Sequence, residues 1–145
     1  MSACTFFGHR DCYGLQEELL EQAIVELIHS GVDTFYMGHQ GDFDRAARQI
    51  LRKLQKVYPH IQYSVVLAYL STEKRPGEDH TDTIFPEGLE SVPRKFAISK
   101  RNEWMLQRAG YCICYLSHSW GGAYQFVQKA KRQGAAVIQL GPLPL

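Results

Sequence analysis

The chain has 145 residues, of which 45% are hydrophobic and 21% are charged, so its length and composition match one folded domain. Sixteen Lys and Arg residues against fifteen Asp and Glu residues give a formal net charge of +1. This balance argues against a dedicated duplex-DNA binder, because such proteins rely on a basic surface.

Targeting signals and cysteine usage favour a cytoplasmic protein with no membrane association. We expect no export signal, because the first residues show neither a basic segment nor a long apolar one. The longest uncharged run, residues 109–128, is too polar for a lipid-spanning helix. No Cys-x-x-Cys pair occurs, so we expect buried free thiols in a reducing compartment at Cys4, Cys12, Cys112 and Cys114.

Apolar strands and amphipathic helices alternate along the first half of the chain. Residues 4–7 form an apolar run that predicts a first strand. A first helix follows, ended by Gly31, because apolar residues recur at helical spacing from Leu15 to Ile28. Residues 34–37 predict a second strand, and the helix after it is expected to be capped by Asp42.

The same alternation continues in the second half. Residues 63–69 are rich in β-formers and predict a third strand. The polar residues 71–92 predict a long loop, which in a compact domain is usually functional or mobile. Residues 93–109 predict a helix and residues 111–116 a fourth strand, while residues 135–140 predict a fifth strand after a last helix.

Alternating helices and apolar strands are typical of a parallel sheet that is covered on both faces. The sequence therefore predicts an α/β fold, with a single Rossmann-like three-layer domain over residues 1–145. We expect a mostly parallel sheet of five strands within it.

Glycine and polar residues follow three of the predicted strands. They are Gly8-His9-Arg10, residues 38–42 and residues 117–122, and each segment leads toward a helix. In doubly wound sheets, ligands bind beyond the carboxyl ends of the strands. Glycine lets a ligand approach the backbone, and a helix N-terminus favours an anion such as phosphate. One such loop alone is typical of turn chemistry, but three at one edge favour an anion site.

Several common cofactor signatures are missing from the sequence. A P-loop motif does not occur, and no Gly-x-Gly-x-x-Gly follows the first strand, which argues against a P-loop NTPase and a nicotinamide dehydrogenase. His9, His39 and His118 all follow strands, but their spacing matches no zinc pattern. We therefore expect no metal and no cofactor, and we expect these imidazoles to hydrogen-bond ligand oxygens.

Charged and amide side chains near these loops are further candidates. Arg101 and Asn102 lie in the predicted helix over residues 93–109. That helix is otherwise apolar enough to turn Arg101 inward, where it needs a phosphate or carboxylate partner; the alternative is a solvated helix face. Asp44 either stabilises the start of a helix or contacts the ligand. Three roles are open for Glu87: it closes over a ribose of the ligand, it acts as an acid, or it is a solvated loop residue.

Five short motifs, spread in order over nearly the whole chain, resemble the SLOG superfamily of Rossmann-like nucleotide-ligand binders. They are Phe7-Gly8-His9-Arg10, Gly38-x-x-Gly41-x-Phe43-Asp44, Phe85-Pro86-Glu87-Gly88, Arg101-Asn102-x-x-Met105 and Ser119-Trp120-Gly121-Gly122-Ala123. The superfamily joins Smf/DprA proteins, Lonely-guy enzymes and YpsA-like proteins, and the motifs are most like those of the YpsA-like branch. The resemblance implies a nucleotide or nucleotide-derived ligand.

The loops and motifs together give the expected ligand-binding residues. They are Gly8, His9, Arg10, Gly38, Gly41, Asp44, Glu87, Arg101, Asn102, Ser117, His118, Ser119, Gly121, Gly122 and Ala123. Lonely-guy enzymes release a base from a nucleoside monophosphate and carry a catalytic glutamate in their last motif. The matching position here is about Gln125 or Phe126, and neither side chain can act as a general base. The catalytic residues are therefore left unknown.

The resemblance implies a protein that binds a phosphorylated nucleoside or an ADP-ribose-type ligand, as a sensor or sequestering module in bacterial or phage signalling, without efficient catalysis. The alternative is a Lonely-guy-like phosphoribohydrolase. A third hypothesis is single-stranded DNA binding, as in DprA-like proteins, although the basic helix faces lack interleaved aromatics. Ile84, Phe85 and the apolar residues 141–145 favour a homodimer or tetramer.

Overall fold

Six strands and four α-helices make up the computed structural model of the chain, which describes residues 2–70 and 81–145. The strands are β1 (Ser2–Gly8), β2 (Val32–Met37), β3 (Gln62–Val66), β4 (Thr83–Ile84), β5 (Tyr111–Tyr115) and β6 (Ala136–Gln139). The helices are α1 (Glu17–His29), α2 (Gly41–Val57), α3 (Arg94–Arg108) and α4 (Gly122–Arg132), with a 3-10 turn at Leu89–Ser91.

The strands form one parallel sheet in the order β4-β3-β2-β1-β5-β6. The order of the chain along the sheet reverses between β1 and β5, which are hydrogen-bonded neighbours. Residues of α1 and α2 pack in a core on one face, whereas residues of α3 and α4 pack in a second core on the other. The predicted Rossmann-like three-layer α/β fold is confirmed.

The prediction of five strands is wrong, because the sheet has a sixth strand inside the segment predicted to be a loop. Thr83 and Ile84 of β4 pair with Val65 and Val66 of β3. Next to them, Asp82 accepts hydrogen bonds from Arg48 in α2, at 2.6 and 2.9 Å, which holds this edge against the helix. A two-residue strand is too short to show a periodic pattern. Residues 71–80 of the predicted loop lie outside the described residues.

The predicted cap of α2 is also wrong. The helix begins after Gln40, whose backbone N–H donates to Oδ2 of Asp44 at 3.1 Å. Asp42 instead forms an exposed ion pair with Arg45, one turn along the helix, at 3.1 Å. Both carboxylates lie in the first turn, where the helix dipole favours negative charge, so their positions in sequence did not distinguish them.

The surface near the sheet edge differs from the expected apolar patch. Ile84 and Phe85 are half-buried, and Phe85 packs against the small core cluster of Ala68, Leu89 and Ala97. They therefore do not provide the exposed apolar surface expected of them, whereas Leu145 in the other expected segment is 47% exposed, and the oligomer stays a prediction. All four cysteines are buried free thiols, as predicted. Within the described residues, no helix has the length and apolarity needed to cross a membrane.

The core under α1 and α2 generates a first prediction about stability. Leu51 is fully buried there, and Leu51→Ala should lower the free energy of unfolding by about 2–5 kcal/mol because it leaves a cavity. Gln49→Ala, at an exposed position of the same helix, should change it by less than about 0.5 kcal/mol. Urea unfolding followed by circular dichroism measures both, and similar stabilities for the two variants would contradict this packing.

Candidate functional site

A cleft of about 700 Å³ opens beyond the carboxyl ends of β1, β2 and β5, where the strand order reverses. Most of the predicted site residues line it. They are Gly8 at the end of β1, His9 and Arg10 after it, Gly38 and Asp44 after β2, Arg101 and Asn102 in α3, and Ser117, His118, Gly121, Gly122 and Ala123 after β5. The topology therefore brings the three predicted loops to one place.

Three predicted residues lie outside the lining of this cleft. Gly41 has a φ of +88°, and a Cβ there would lie 3.1 Å from the Cα of Arg10, so the turn itself requires glycine. Glu87 is exposed in the segment before the 3-10 turn, and Ser119 is exposed in the loop after β5. The structure gives Gly41 a conformational role and places neither Glu87 nor Ser119 against the cleft.

The loops after β1 and β5 adjoin each other, as their placement beside the reversal predicts. The backbone N–H of His9 donates to the carbonyl of Tyr115 at 3.1 Å. The backbone N–H of Ser117 donates to Nδ1 of His9 at 3.0 Å. Since Nδ1 accepts this bond, Nε2 must carry the proton of the neutral imidazole.

Nε2 of His9 is buried and makes no hydrogen bond to any described residue. The pKa of His9 lies below its ordinary 6.5. The main cause is burial, which disfavours the charged ring, and the second is neighbouring His118. The Trp120 carbonyl acts in the opposite direction, although it does not reach hydrogen-bonding geometry with Nε2. His9 is therefore neutral at pH 7 and holds an unused N–H donor beside the cleft. A neutral ring with this tautomer offers no Nε2 lone pair to a metal or an electrophile.

Three aromatic rings form a stack along this wall of the cleft. The ring centroids of His9 and His118 are 3.5 Å apart, and those of His118 and Trp120 are 3.7 Å apart, with interplanar angles of 18° and 17°. His118 Nδ1 lies 3.0 Å from the carbonyl oxygen of Trp120, to which it donates. Trp120 is 67% exposed at the outer end. The stack holds His9 in place and presents a flat indole at the rim.

The first turn of α4 has unused backbone donors. Its N-cap, Gly121, has a φ of +95° and no capping side chain, and the first intrahelical bond runs from Gln125 N to Gly121 O. The N–H groups before Gln125 thus have no acceptor within the helix. Because Gly121, Gly122 and Ala123 line the cleft, this helix end provides dipole and donors for an anion.

Arg101 is buried on the opposite side of the cleft, with only 3% of its surface exposed. It was expected to face inward, and it does, but its hydrogen bonds reach uncharged oxygens rather than a carboxylate. Nη1 donates to Val66 O at 3.1 Å, Nη2 to Gln40 Oε1 at 2.7 Å and Nε to Asn102 Oδ1 at 2.8 Å. The guanidinium joins the end of β3, the start of α2 and α3.

Gly38 leaves the space that this guanidinium occupies. A Cβ at Gly38 would lie 2.8 Å from Cζ of Arg101. Similarly, a Cβ at Gly8 would lie 2.5 Å from the ring of Phe43. Both glycines line the cleft, but the structure requires them for packing against their neighbours.

Asp44 is the half-buried acid of the cleft. Burial raises the pKa of its carboxyl from 3.8 to about 6, against the opposing effects of the Arg101 charge and of the backbone N–H groups of Gln40 and Gly38. The carboxylate is therefore ionised at pH 7 and becomes protonated in mildly acidic solution.

The sequence-based predictions missed eight lining residues. They are Phe6, Phe7, Asp11, Tyr13, Gln40, Ile98, Met105 and Trp120. Gln40 and Trp120 lie inside the predicted loops over residues 38–42 and 117–122. Their polar and aromatic side chains could have identified them as candidates. Tyr13 is 94% exposed in a polar loop, and nothing in the sequence places it at the cleft.

The third histidine of the expected set lies elsewhere. His39 is exposed and does not line the cleft, whereas His9 and His118 do. Over residues 2–70 and 81–145, no group of three or more His, Cys, Asp and Glu side chains is arranged to hold a metal ion. The histidines of the cleft form an aromatic stack and a hydrogen-bond donor.

The chain is similar to the UPF0398 protein BH1768 of Halalkalibacterium halodurans. The two are 25% identical over 129 residues, a match that covers 81% of this chain and 68% of that protein. UPF0398 is a YpsA-like group. No protein-family model matches the chain. The similarity supports the predicted likeness to YpsA-like proteins and identifies no ligand.

The pKa of Asp44 generates a prediction about pH and stability. Between the unfolded pKa of 3.8 and the folded pKa of about 6, the folded protein binds the extra proton. The free energy of unfolding should therefore fall as the pH rises through this interval, by about 1–3 kcal/mol relative to Asp44→Asn, which cannot ionise.

Urea unfolding at about pH 4 and about pH 7 measures this difference. Asp42→Asn is the matched control, since Asp42 lies in the same helical turn but is exposed, and it should keep the pH profile of the wild type. If wild type and Asp44→Asn show parallel pH profiles, the burial of this carboxyl does not have the assigned effect.

Proposed function

We propose that the cleft binds a phosphorylated nucleoside or an ADP-ribose-type ligand, with a phosphate at the first turn of α4. The observation that carries this proposal is the buried, unpartnered N–H at Nε2 of His9, in a cleft also lined by an uncapped helix N-terminus. A buried unpaired donor costs about 1–3 kcal/mol. An anion bound at the helix N–H groups would offset that cost where the His9–His118 stack shifts enough to bring this donor within its reach.

The size and walls of the cleft support a nucleotide in particular. Its volume of about 700 Å³ lies within the range of about 300–1,000 Å³ that small-ligand pockets occupy. Tyr13 and Trp120 are exposed aromatic side chains among its lining residues, and such rings are suited to stacking on a base. Together with the YpsA-like relative, these features support membership of the SLOG superfamily.

We propose a sensor or sequestering role without efficient catalysis. The resemblance to Lonely-guy enzymes places their catalytic glutamate at about Gln125 or Phe126. Gln125 is exposed and Phe126 stacks on Phe7, with ring centroids 5.6 Å apart, and neither lines the cleft. Charge stabilisation from that position is therefore missing.

A phosphoribohydrolase is the alternative, and Asp44 is the observation in its favour. A carboxyl in the cleft with a pKa of about 6 suits general acid–base chemistry near neutral pH. Incubating the protein with AMP and following free adenine by chromatography separates the two functions. Intact AMP argues against hydrolysis and, together with AMP binding measured by calorimetry, supports binding without catalysis. Adenine and ribose 5-phosphate that accumulate with wild type and not with Asp44→Asn support the enzyme.

Gly122 allows a direct test of the phosphate position. A Cβ at Gly122 meets no atom within 4 Å, so Gly122→Leu should fold normally while its side chain obstructs the cleft. We expect calorimetry with AMP and with ADP-ribose to show affinity weakened by about 10- to 100-fold, since charge-assisted hydrogen bonds are lost.

Gly110→Leu is the matched control for this variant. A Cβ at Gly110 also meets no atom within 4 Å, and Gly110 precedes β5 at the opposite edge of the sheet. It should bind both ligands as the wild type does. Unchanged affinity in Gly122→Leu, or an equal loss in both variants, would show that the phosphate does not lie at α4.

A further inference from the structure

We infer that Asp44 selects ligands whose ribose carries free 2′- and 3′-hydroxyls, and that the cleft thus discriminates ribonucleotides from deoxyribonucleotides. The inference rests on the proposed function, because it takes the phosphate to lie at the first turn of α4. It adds a role for the Asp44 carboxylate, a hydrogen-bond acceptor on the opposite wall of the same cleft.

The carboxylate of Asp44 is held firmly in place by α2 and its surroundings. Its Oδ2 accepts from the backbone N–H of Gln40 at 3.1 Å, the N–H of Gly38 also favours its charged form, and the buried Arg101 lies near enough to do the same. A carboxylate can accept about four hydrogen bonds. Because Asp44 lines the cleft, part of this capacity remains for hydroxyl groups of a ligand.

The order of the strands places the two walls on either side of β1. The α4 end follows β5 and Asp44 follows β2, and β1 lies between these strands. Asp44 and the first residues of α4 line the same cleft, so a ligand that fills the cleft meets both walls.

The two walls also differ in hydrogen-bonding character. His9 Nε2 and the first turn of α4 offer only donors, whereas ionised Asp44 offers only acceptors. A phosphate oxygen placed at Asp44 would meet another acceptor of the same charge. A vicinal diol provides two O–H donors, so this polarity directs the sugar hydroxyls toward α2 and the phosphate toward α4.

Removing one hydroxyl should therefore be costly. A 2′-deoxy ligand leaves a desolvated carboxylate oxygen without its donor, and sites built to hydrogen-bond a hydroxyl reject analogues that lack it. At about pH 8, where Asp44 is ionised, we expect 2-deoxyribose 5-phosphate to bind about 10- to 100-fold more weakly than ribose 5-phosphate. AMP and 2′-deoxy-AMP should show the same ratio, since the base is common to both.

Titration calorimetry with these four ligands is the test. Its first step compares the affinities of the wild type for the ribose and deoxyribose ligands. Asp44→Asn should reduce the preference for ribose to less than about threefold, because the amide no longer accepts at full strength. Asp42→Asn, in the same turn of α2 but exposed and paired with Arg45, should keep the full preference.

The possible outcomes separate the two proposals. If the ribose and deoxyribose ligands bind wild type equally, the inference is wrong while the proposed function stands. If the preference for ribose persists in Asp44→Asn, another residue binds the hydroxyls and the assignment to Asp44 is wrong. If none of the four ligands binds and ADP-ribose does not bind either, the proposed function is wrong and the inference fails with it. If ADP-ribose alone binds, the inference is wrong while the proposed function stands.

Discussion

The buried guanidinium of Arg101 constrains the architecture of this end of the molecule. A charge with 3% exposure must find acceptors inside the protein, and here they come from β3, α2 and the next residue of α3. The three bonds fix α3 against the carboxyl end of the sheet and hold Gln40 at the start of α2. Asp44 is positioned by the same turn, so the acceptor wall of the cleft depends on where Arg101 lies.

The opposite wall depends on the reversal of strand order between β1 and β5. Because these strands are neighbours, a backbone group of one loop can hydrogen-bond a side chain of the other. The backbone N–H of Ser117 donates in this way to Nδ1 of His9. That bond decides the tautomer and leaves Nε2 as a donor. The strand order thus brings two ordinary turn sequences together. They form a wall of hydrogen-bond donors, which faces the acceptor Asp44 across the cleft.

The sequence predicted the layers of the fold because long apolar runs and helical spacing carry a clear period. It missed β4, which has two residues, and it assigned the cap of α2 to Asp42, whereas the carboxylate that accepts a backbone N–H at the start of this helix is that of Asp44. Arg101 was correctly placed inward from its apolar neighbours, but its acceptors Val66 and Gln40 lie 35 and 61 residues away. Contacts of that separation have no local signal in a single sequence.

The neutrality of His9 shapes how an anion would be bound. Its lowered pKa means that the ring contributes a directional hydrogen bond and no net charge at pH 7. Three of the five N–H groups of Arg101 are bonded to protein oxygens, and Arg10 lies exposed at the rim of the cleft, where salt screens it. For a phosphate bound at α4, the dipole and N–H groups of that helix lie nearest to its charge. Because backbone dipoles are fixed in direction, this arrangement favours a phosphate held in one orientation, with the rest of the ligand extending toward Asp44.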